Sequence, residues 1–415
     1  MPKIPRDKSL DSTLALLWDP YRFISKRCRR YGADLFETRL GLQRTICMTG
    51  PEAARLFYDP SRFLRRDAMP AAIQKTLLGE GGVQGLDGGS HRHRKQMFMS
   101  LMTSERIQQL VQRTAAEWQT RAHSWASAGE VVLYTELHEV LMRGVCAWAG
   151  VSLVEKEIDA RTRDIAALFD HAGSLGFGHL RSRWARKRAD RWMEDIIEQI
   201  RSGRISAPEE SAAHVVAWHR NLDGELLAPD VAAVELINVI RPTVAVSVYI
   251  VFIAHALQAH AELRERLATG DDGYMELFVQ EVRRSYPFFP AVAARTLQTF
   301  EWNGYKFPEG LRVILDLYGT NQDPRTWDRP EKFEPERFRE WSGSPFKLIP
   351  QGGGNHHVDH RCPGEWIAIE LMKLAADFLT RRMSYEVPQQ DLRIDWSRMP
   401  PMPRSGFVIR NVRWS

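Results

Sequence analysis

The sequence predicts a mainly α fold in one domain, with small β-sheets at its edges. Three observations predict it. Apolar residues recur at helical spacing from about His91 to Leu267. Alternating patterns of strand type are confined to short regions, chiefly Leu35–Met48 and Pro290–Leu317. No linker, low-complexity tract or internal repeat divides the 415 residues, so 1–415 reads as a single domain. Hydrophobic residues at 44% and 13 tryptophans are ample for one large core.

Taken in order, residues 11–32 show apolar spacing of three and four and end in glycine, which predicts one helix. Leu35–Met48 alternates around Leu40-Gly41 and predicts a hairpin. A short helix follows from Pro51 to Tyr58. The long helical region is broken near Gly129, Gly150, Gly173 to Gly178, Gly203 to Pro208 and Gly224. Its most apolar stretch, Val244 to Leu257, is too short to span a bilayer and predicts a buried helix rather than a transmembrane segment. Strand character returns from Pro290 to Leu317, with Asn303-Gly304 as a turn. A helix over Gly364 to Met383 and an extended, proline-punctuated tail complete the chain.

The N-terminus lacks the apolar run of a signal peptide, and the four cysteines (Cys28, Cys47, Cys146, Cys362) are scattered without a CxxC. A disulfide framework is not expected, and a cytoplasmic location is. The net charge of +5 is modest for this length. The one basic cluster, Arg181 to Arg188, reads as a solvated helix face rather than a nucleic-acid or lipid-surface patch.

The chemistry concentrates in FKLIPQGGGNHHVDHRCPGEWIAIELMK, Phe346 to Lys373. Glycines 352, 353 and 354 would let backbone approach something flat and bulky. Cys362 precedes a helix N-terminus, where the dipole and free N–H groups lower a thiol's pKa. Pro363 stands where a first-turn proline belongs. Together these suggest a thiolate held under a planar metal macrocycle, a haem axial ligand that pushes electron density into the iron. The rival readings are an inert core cysteine and a zinc site of His356, His357, His360 and Cys362; four donors within seven residues of one loop strain tetrahedral geometry.

Upstream, Glu281 and Arg284 lie one helical turn apart in FVQEVRRSYP, and Arg337 lies in FEPERF. One glutamate shared by two arginines would pin an irregular segment against a helix. The order ExxR, PERF, glycine-rich loop and cysteine resembles the cytochrome P450 family from about Leu10 to Arg413. The resemblance implies haem b on Cys362 and a structural triad of Glu281, Arg284 and Arg337. The haem loop is longer than the family's usual compact pattern. In that it resembles the hydrogen-peroxide-using fatty-acid hydroxylases, the peroxygenases.

The long central helix, VAAVELINVIRPTVAVSVYIVFIAHAL, departs from the oxygen-activating members too. It has no acid beside a threonine, and carries Arg241-Pro242 instead. Proline inside a helix costs about 3 kcal/mol. An arginine on an apolar face must find an anion. Glu235, six residues away, lies on another face, so a ligand carboxylate held in a bidentate fork is the better partner. The same Arg-Pro pair occurs in the peroxygenase branch. A carboxylate fixed by Arg241 can move the proton that heterolytic O–O cleavage requires, and it leaves only Cα and Cβ within reach of the iron.

The resemblance carries over further positions. His91 and Lys95 would hold a haem propionate, against a solvated basic face as the alternative, and Arg295 would contact a propionate. Gln84 stands where the branch has histidine in decarboxylating members and glutamine in hydroxylases. Leu78, Phe288 and Phe289 would line the tail channel or simply pack the core, and YPFFPAVAAR looks most like the α-hydroxylating members. The implied partners are a long-chain fatty acid and hydrogen peroxide, with no redox partner and no nucleic acid. The alternatives are a peroxide-driven decarboxylase forming terminal alkenes, a reductase-dependent monooxygenase and a non-catalytic haem sensor.

Overall fold

A computed structural model describes residues 3–171, 173 and 176–414. The N-terminal apolar spacing builds two helices, α1 (Thr13–Trp18) and α2 (Phe23–Tyr31), not the single helix expected over 11–32. Asp19-Pro20 lies between them, and a proline has no N–H to give the preceding turn. Gly32 closes α2 in the left-handed region at φ 60°. β1 (Leu35–Leu40) and β2 (Gln43–Met48) form the expected hairpin, turning at Gly41-Leu42. After α3 (Pro51–Phe57), β3 (Phe63–Leu64) and α4 (Ala71–Ile73), a π-helical turn spans Gln74–Leu78.

The helical body follows. It comprises α5 (Gly88–Ser100), α6 (Ser104–Ser127), α7 (Leu133–Ala149), α8 (Ile158–Asp170), α9 (Phe177–Arg201) and α10 (Ala212–Ala217), with the short strand β4 (Glu130–Val132) between α6 and α7. The break expected over Gly173 to Gly178 includes Ser174 and Leu175, which lie outside the described residues. α11 (Pro229–Val244) and α12 (Val246–Ala259) are nearly continuous and part only at Ala245. Together they are 31 residues long and apolar enough to cross a membrane, yet 94% of their most apolar window is buried inside the fold. The expected buried helix is therefore the second half of a longer one. α13 (Ala261–Ala268) and α14 (Asp272–Ser285) lead to β5 (Ala291–Thr296), β6 (Phe300–Trp302), β7 (Tyr305–Phe307) and β8 (Arg312–Asp316). Asn303 and Gly304, both at positive φ, turn β6 into β7. α15 (Leu317–Asn321) and α16 (Glu365–Asp377) are the last α-helices, and a π-helical turn over Phe378–Arg382 carries α16 on to the end expected near Met383.

The main sheet runs β1-β2-β8-β5-β3, with β2 and β8 parallel and the other pairs antiparallel. The tail is not merely extended. Val408–Trp414 pairs with Glu130–Val132, a strand that alternation over three residues is too short to reveal, and with Met383–Glu386. The core lies between the helices, with Trp118, Trp125 and Trp148 fully buried. Cys28, Cys47 and Cys146 are free and buried, behaving as small apolar residues. α12 packs on α16, which brings the central helix over the cysteine loop.

Candidate active site

Between those two helices lies a cavity of about 1080 Å³. Asn238, Arg241 and Pro242 line one wall and Cys362, Pro363 and Gly364 the opposite one. Gln84, Leu78, Phe288 and Phe289 border the same space, and Phe288 stacks on Tyr249 with ring centroids 4.6 Å apart.

Arg241 is 6% exposed, and its Nη1 has no hydrogen-bond partner. Burial, reinforced by Arg186, holds its pKa down to about 9. Glu235 does not serve it: that carboxylate accepts from Arg94 Nη1 at 2.7 Å and from Asn238 Nδ2 at 2.9 Å. Asn238 also donates to Gln84 Oε1 at 3.2 Å, tying Gln84 to the central helix. The hydroxyl beside Pro242, on Thr243, is spent on the Val239 carbonyl at 2.9 Å. Among the described residues, the distal wall thus offers the unpaired guanidinium Nη1 of Arg241 and no acid–alcohol pair.

On the opposite wall, the Cys362 N–H donates to the Gln351 carbonyl at 3.0 Å. The Gln351 amide lies 3.9 Å from Cys362 Sγ, oriented by Arg283 Nη2 on its Oε1 at 3.2 Å. Arg283 also pairs with buried Glu365, which accepts from Arg361 Nε at 2.6 Å and lies 2.8 Å from His356 Nε2. Against the upward push of burial, Arg283, His356 and Arg361 hold Glu365 well below the ordinary carboxylate range.

One sequence expectation about this loop is corrected, and a second is extended. Burial pushes the Cys362 thiol up, outweighing Lys95 and the Gly364 N–H, so the helix terminus alone does not lower its pKa. The glycine triplet serves the loop's own packing as well as the cavity wall, to which Gly352 contributes. A Cβ on Gly352 would crowd the Tyr58 hydroxyl at 3.0 Å, and one on Gly353 would strike the Pro345 carbonyl at 2.6 Å. Gly352 and Gly364 both line the cavity, and Gly364 has nothing within 4 Å of where its Cβ would be. Among the described residues no three His, Cys, Asp or Glu side chains gather as a metal site.

At the cavity's edge, His91 stacks on His360 with centroids 3.8 Å apart, and burial lowers His91 to about 4. Lys95, lowered to about 8 by burial, donates to the carbonyls of Asp359 and Arg361. Arg295 donates to the Asp67 carbonyl at 2.8 Å and to that of Gly310 at 3.0 Å. Farther from the cavity, Glu281 is fully buried and accepts from Arg284 Nε at 2.7 Å and Arg337 Nε at 3.3 Å. It also takes the Glu334 N–H at 2.8 Å, which fastens the PERF segment to α14.

A thiol facing an apolar slot, an open Gly364 beside it and basic groups at the rim fit a haem with its propionates. Comparisons with known proteins agree. The cytochrome P450 family model matches residues 273–408. A variant of cytochrome P450SP alpha (CYP152B1) is 57% identical, superposes with a TM-score of 0.96, and the match covers 98% of this chain and 100% of that one. Cytochrome P450EX alpha (CYP152N1), solved with myristic acid, is 44% identical over the whole of both chains, with a TM-score of 0.97. A variant of cytochrome P450 OleT in complex with arachidonic acid is 35% identical over 100% of this chain and 99% of that one, with a TM-score of 0.96.

Fold and site together define a haem-thiolate oxidoreductase whose cofactor is haem b. The chain belongs to the cytochrome P450 family, and its structural neighbours are the CYP152 peroxygenases.

The Gln351 contact has a measurable consequence. A hydrogen bond to a ligating sulfur withdraws electron density and raises the metal's potential. Gln351→Leu should therefore lower the Fe(III)/Fe(II) potential of the loaded protein, read by spectroelectrochemistry. An unchanged potential would remove Gln351 from the thiolate's environment. Sequence reasoning missed Gln351, Asn238 and the Arg94–Glu235 pair. Each is defined by a partner at least 11 positions away, and no short motif marks them.

Proposed function

We propose that the whole chain is one cytoplasmic fatty-acid peroxygenase domain, using hydrogen peroxide to hydroxylate long-chain fatty acids at Cα, with Cβ as the secondary position. The observation that carries this reading is Arg241, a buried guanidinium with an unpaired Nη1 in a wall that holds no acid–alcohol pair. A fatty-acid carboxylate is the anion that site lacks. The structural neighbours solved with myristic and arachidonic acids support the ligand class.

In this reading, bound haem supplies the oxidising chemistry through the thiolate of Cys362. Arg241 binds the carboxylate in a two-point fork and would hold it in the cavity that Cys362 also lines. Pro242, beside Arg241 in the cavity wall, removes one N–H from the helix ladder and so loosens the backbone at that point. The anchored carboxylate takes a proton from one peroxide oxygen and returns it to the departing one, so peroxide and a C–H bond yield water and an alcohol without an external electron donor. Leu78, Phe288 and Phe289 guide the tail, and the anchor's position presents Cα first. His91, Lys95 and Arg295 would hold the propionates when haem is bound, while Glu281, Arg284 and Arg337 stiffen the frame.

The test uses purified holoprotein, hydrogen peroxide and myristic acid, with no reductase. The expected product is the 2-hydroxy acid, with less of the 3-hydroxy acid, identified by chiral gas chromatography. Dependence on NADPH and a reductase would favour a monooxygenase, and ligand binding without product a haem sensor. Gln84, an amide that cannot shuttle a proton, keeps the decarboxylase reading secondary; the terminal alkene should stay a minor product and increase in Gln84→His.

A further inference from the structure

We propose that the mouth of the substrate channel docks on the surface of an anionic lipid bilayer, so that fatty acid enters directly from the membrane. The proposal rests on the fatty-acid reading for its substrate, but it turns on residues other than Arg241 and Cys362.

Helix α1 is apolar on two sides. Thr13, Leu16 and Leu17 line the channel. The outward face carries Leu14 and Trp18, one turn apart, with Leu10 just before the helix. The β1–β2 hairpin tip adds Leu42. These four side chains are 78% to 85% exposed. They form one patch, because the tip is tied to the start of α1. Leu42 N–H donates to Asp11 Oδ2 and Gly41 N–H to Thr13 Oγ1, each at 2.6 Å.

Folding alone does not select Leu42. Both central residues of that turn have positive φ, 58° at Gly41 and 61° at Leu42, a conformation that favours Asn-Gly. A leucine there is strained and leaves its side chain in water. Inserting into lipid would relieve the second cost. Apolar clusters exposed in this way mark interaction surfaces.

Charge selects the kind of surface. Residues 1–48 hold ten lysines and arginines against five acids, so the chain's whole net charge of +5 resides there. Arg39 and Arg44 even face each other across the hairpin, a like-charge pair that costs stability unless an anion lies nearby. Glu37 takes Arg44 at 2.8 Å, which leaves exposed Arg39 at the tip. Leucine and tryptophan amid basic residues match the interface of an acidic membrane. The start of α9 repeats the mixture, with Phe177 and Trp184 exposed among Arg181, Arg183, Lys187 and Arg188.

The experiment is co-sedimentation of the holoprotein with vesicles of phosphatidylcholine, with and without phosphatidylglycerol, comparing wild type with the double variant Leu14→Asp, Leu42→Asp. Wild type should pellet with the anionic vesicles only, and less at high salt. The variant's apparent affinity should fall at least about tenfold. Peroxide-driven turnover of dilute free myristate should be unchanged in the variant, while turnover of vesicle-held myristate falls in step with binding. Wild type remaining in the supernatant, or a variant that pellets equally well, would overturn the proposal. So would a wild-type dimer that the variant dissolves without any vesicle binding, which would make the patch an interface between copies. Vesicle binding that the variant loses, with no hydroxy acid formed from either substrate, would uphold the docking and reject the fatty-acid reading.

Discussion

Replacing Arg241 with methionine should stabilise the ligand-free protein while removing its chemistry. The two effects share one cause. A cation whose pKa is held down to about 9 is disfavoured as a charge in the folded state, so at neutral pH it costs folding stability. An apolar side chain of similar length removes that cost, by an amount on the order of a few kcal/mol. Turnover should fall by roughly 10²–10⁴, the usual worth of a positioned proton-transfer group. Myristic acid should raise the melting temperature of wild type and leave that of the variant nearly unchanged, since only wild type offers the carboxylate a partner. Arg241→Lys should be intermediate, keeping the charge and losing the fork. A methionine variant that melts lower than wild type, or that keeps its turnover, would contradict this account.

Glu281→Ala should be the most damaging single change to the fold. It removes the only carboxylate shared by Arg284 and Arg337 among the described residues, and Arg284 is fully buried. Breaking a buried charge network in this way costs about 3–5 kcal/mol, because the partner charges remain in a medium that cannot solvate them. It also releases the Glu334 N–H and with it the PERF segment. The expected result is little folded holoprotein, and a urea midpoint well below wild type in what is recovered. Arg337→Ala should be milder, since its 3.3 Å contact with Glu281 is longer than those of Arg284. A Glu281→Ala protein with wild-type haem content and stability would show that the network is dispensable.

The parts of the molecule legible in the sequence were those encoded locally. Arg241-Pro242 breaks two rules of helix composition in adjacent positions, and such a violation points to a site. The cysteine loop and the ExxR pair are short motifs with their own mechanics. Glu235 was already unsuited to Arg241 by helical geometry, yet nothing local could say that Arg94, 141 positions earlier, claims it. The division between α1 and α2 turned on one proline inside an otherwise helical pattern. Glu130–Val132 gained its strand character only from the tail that pairs with it. The glycine triplet marks the cavity wall through Gly352, but its close contacts with Tyr58, Pro345 and Asp359 are not revealed by spacing.

The most direct test of the whole account is a crystal structure of the haem-loaded protein with a long-chain fatty acid bound. The account predicts the carboxylate in a bidentate contact with Arg241 beside the iron, with the tail running past Leu78 and Phe288. A head group turned toward the channel mouth, with Arg241 satisfied by a protein side chain, would contradict it.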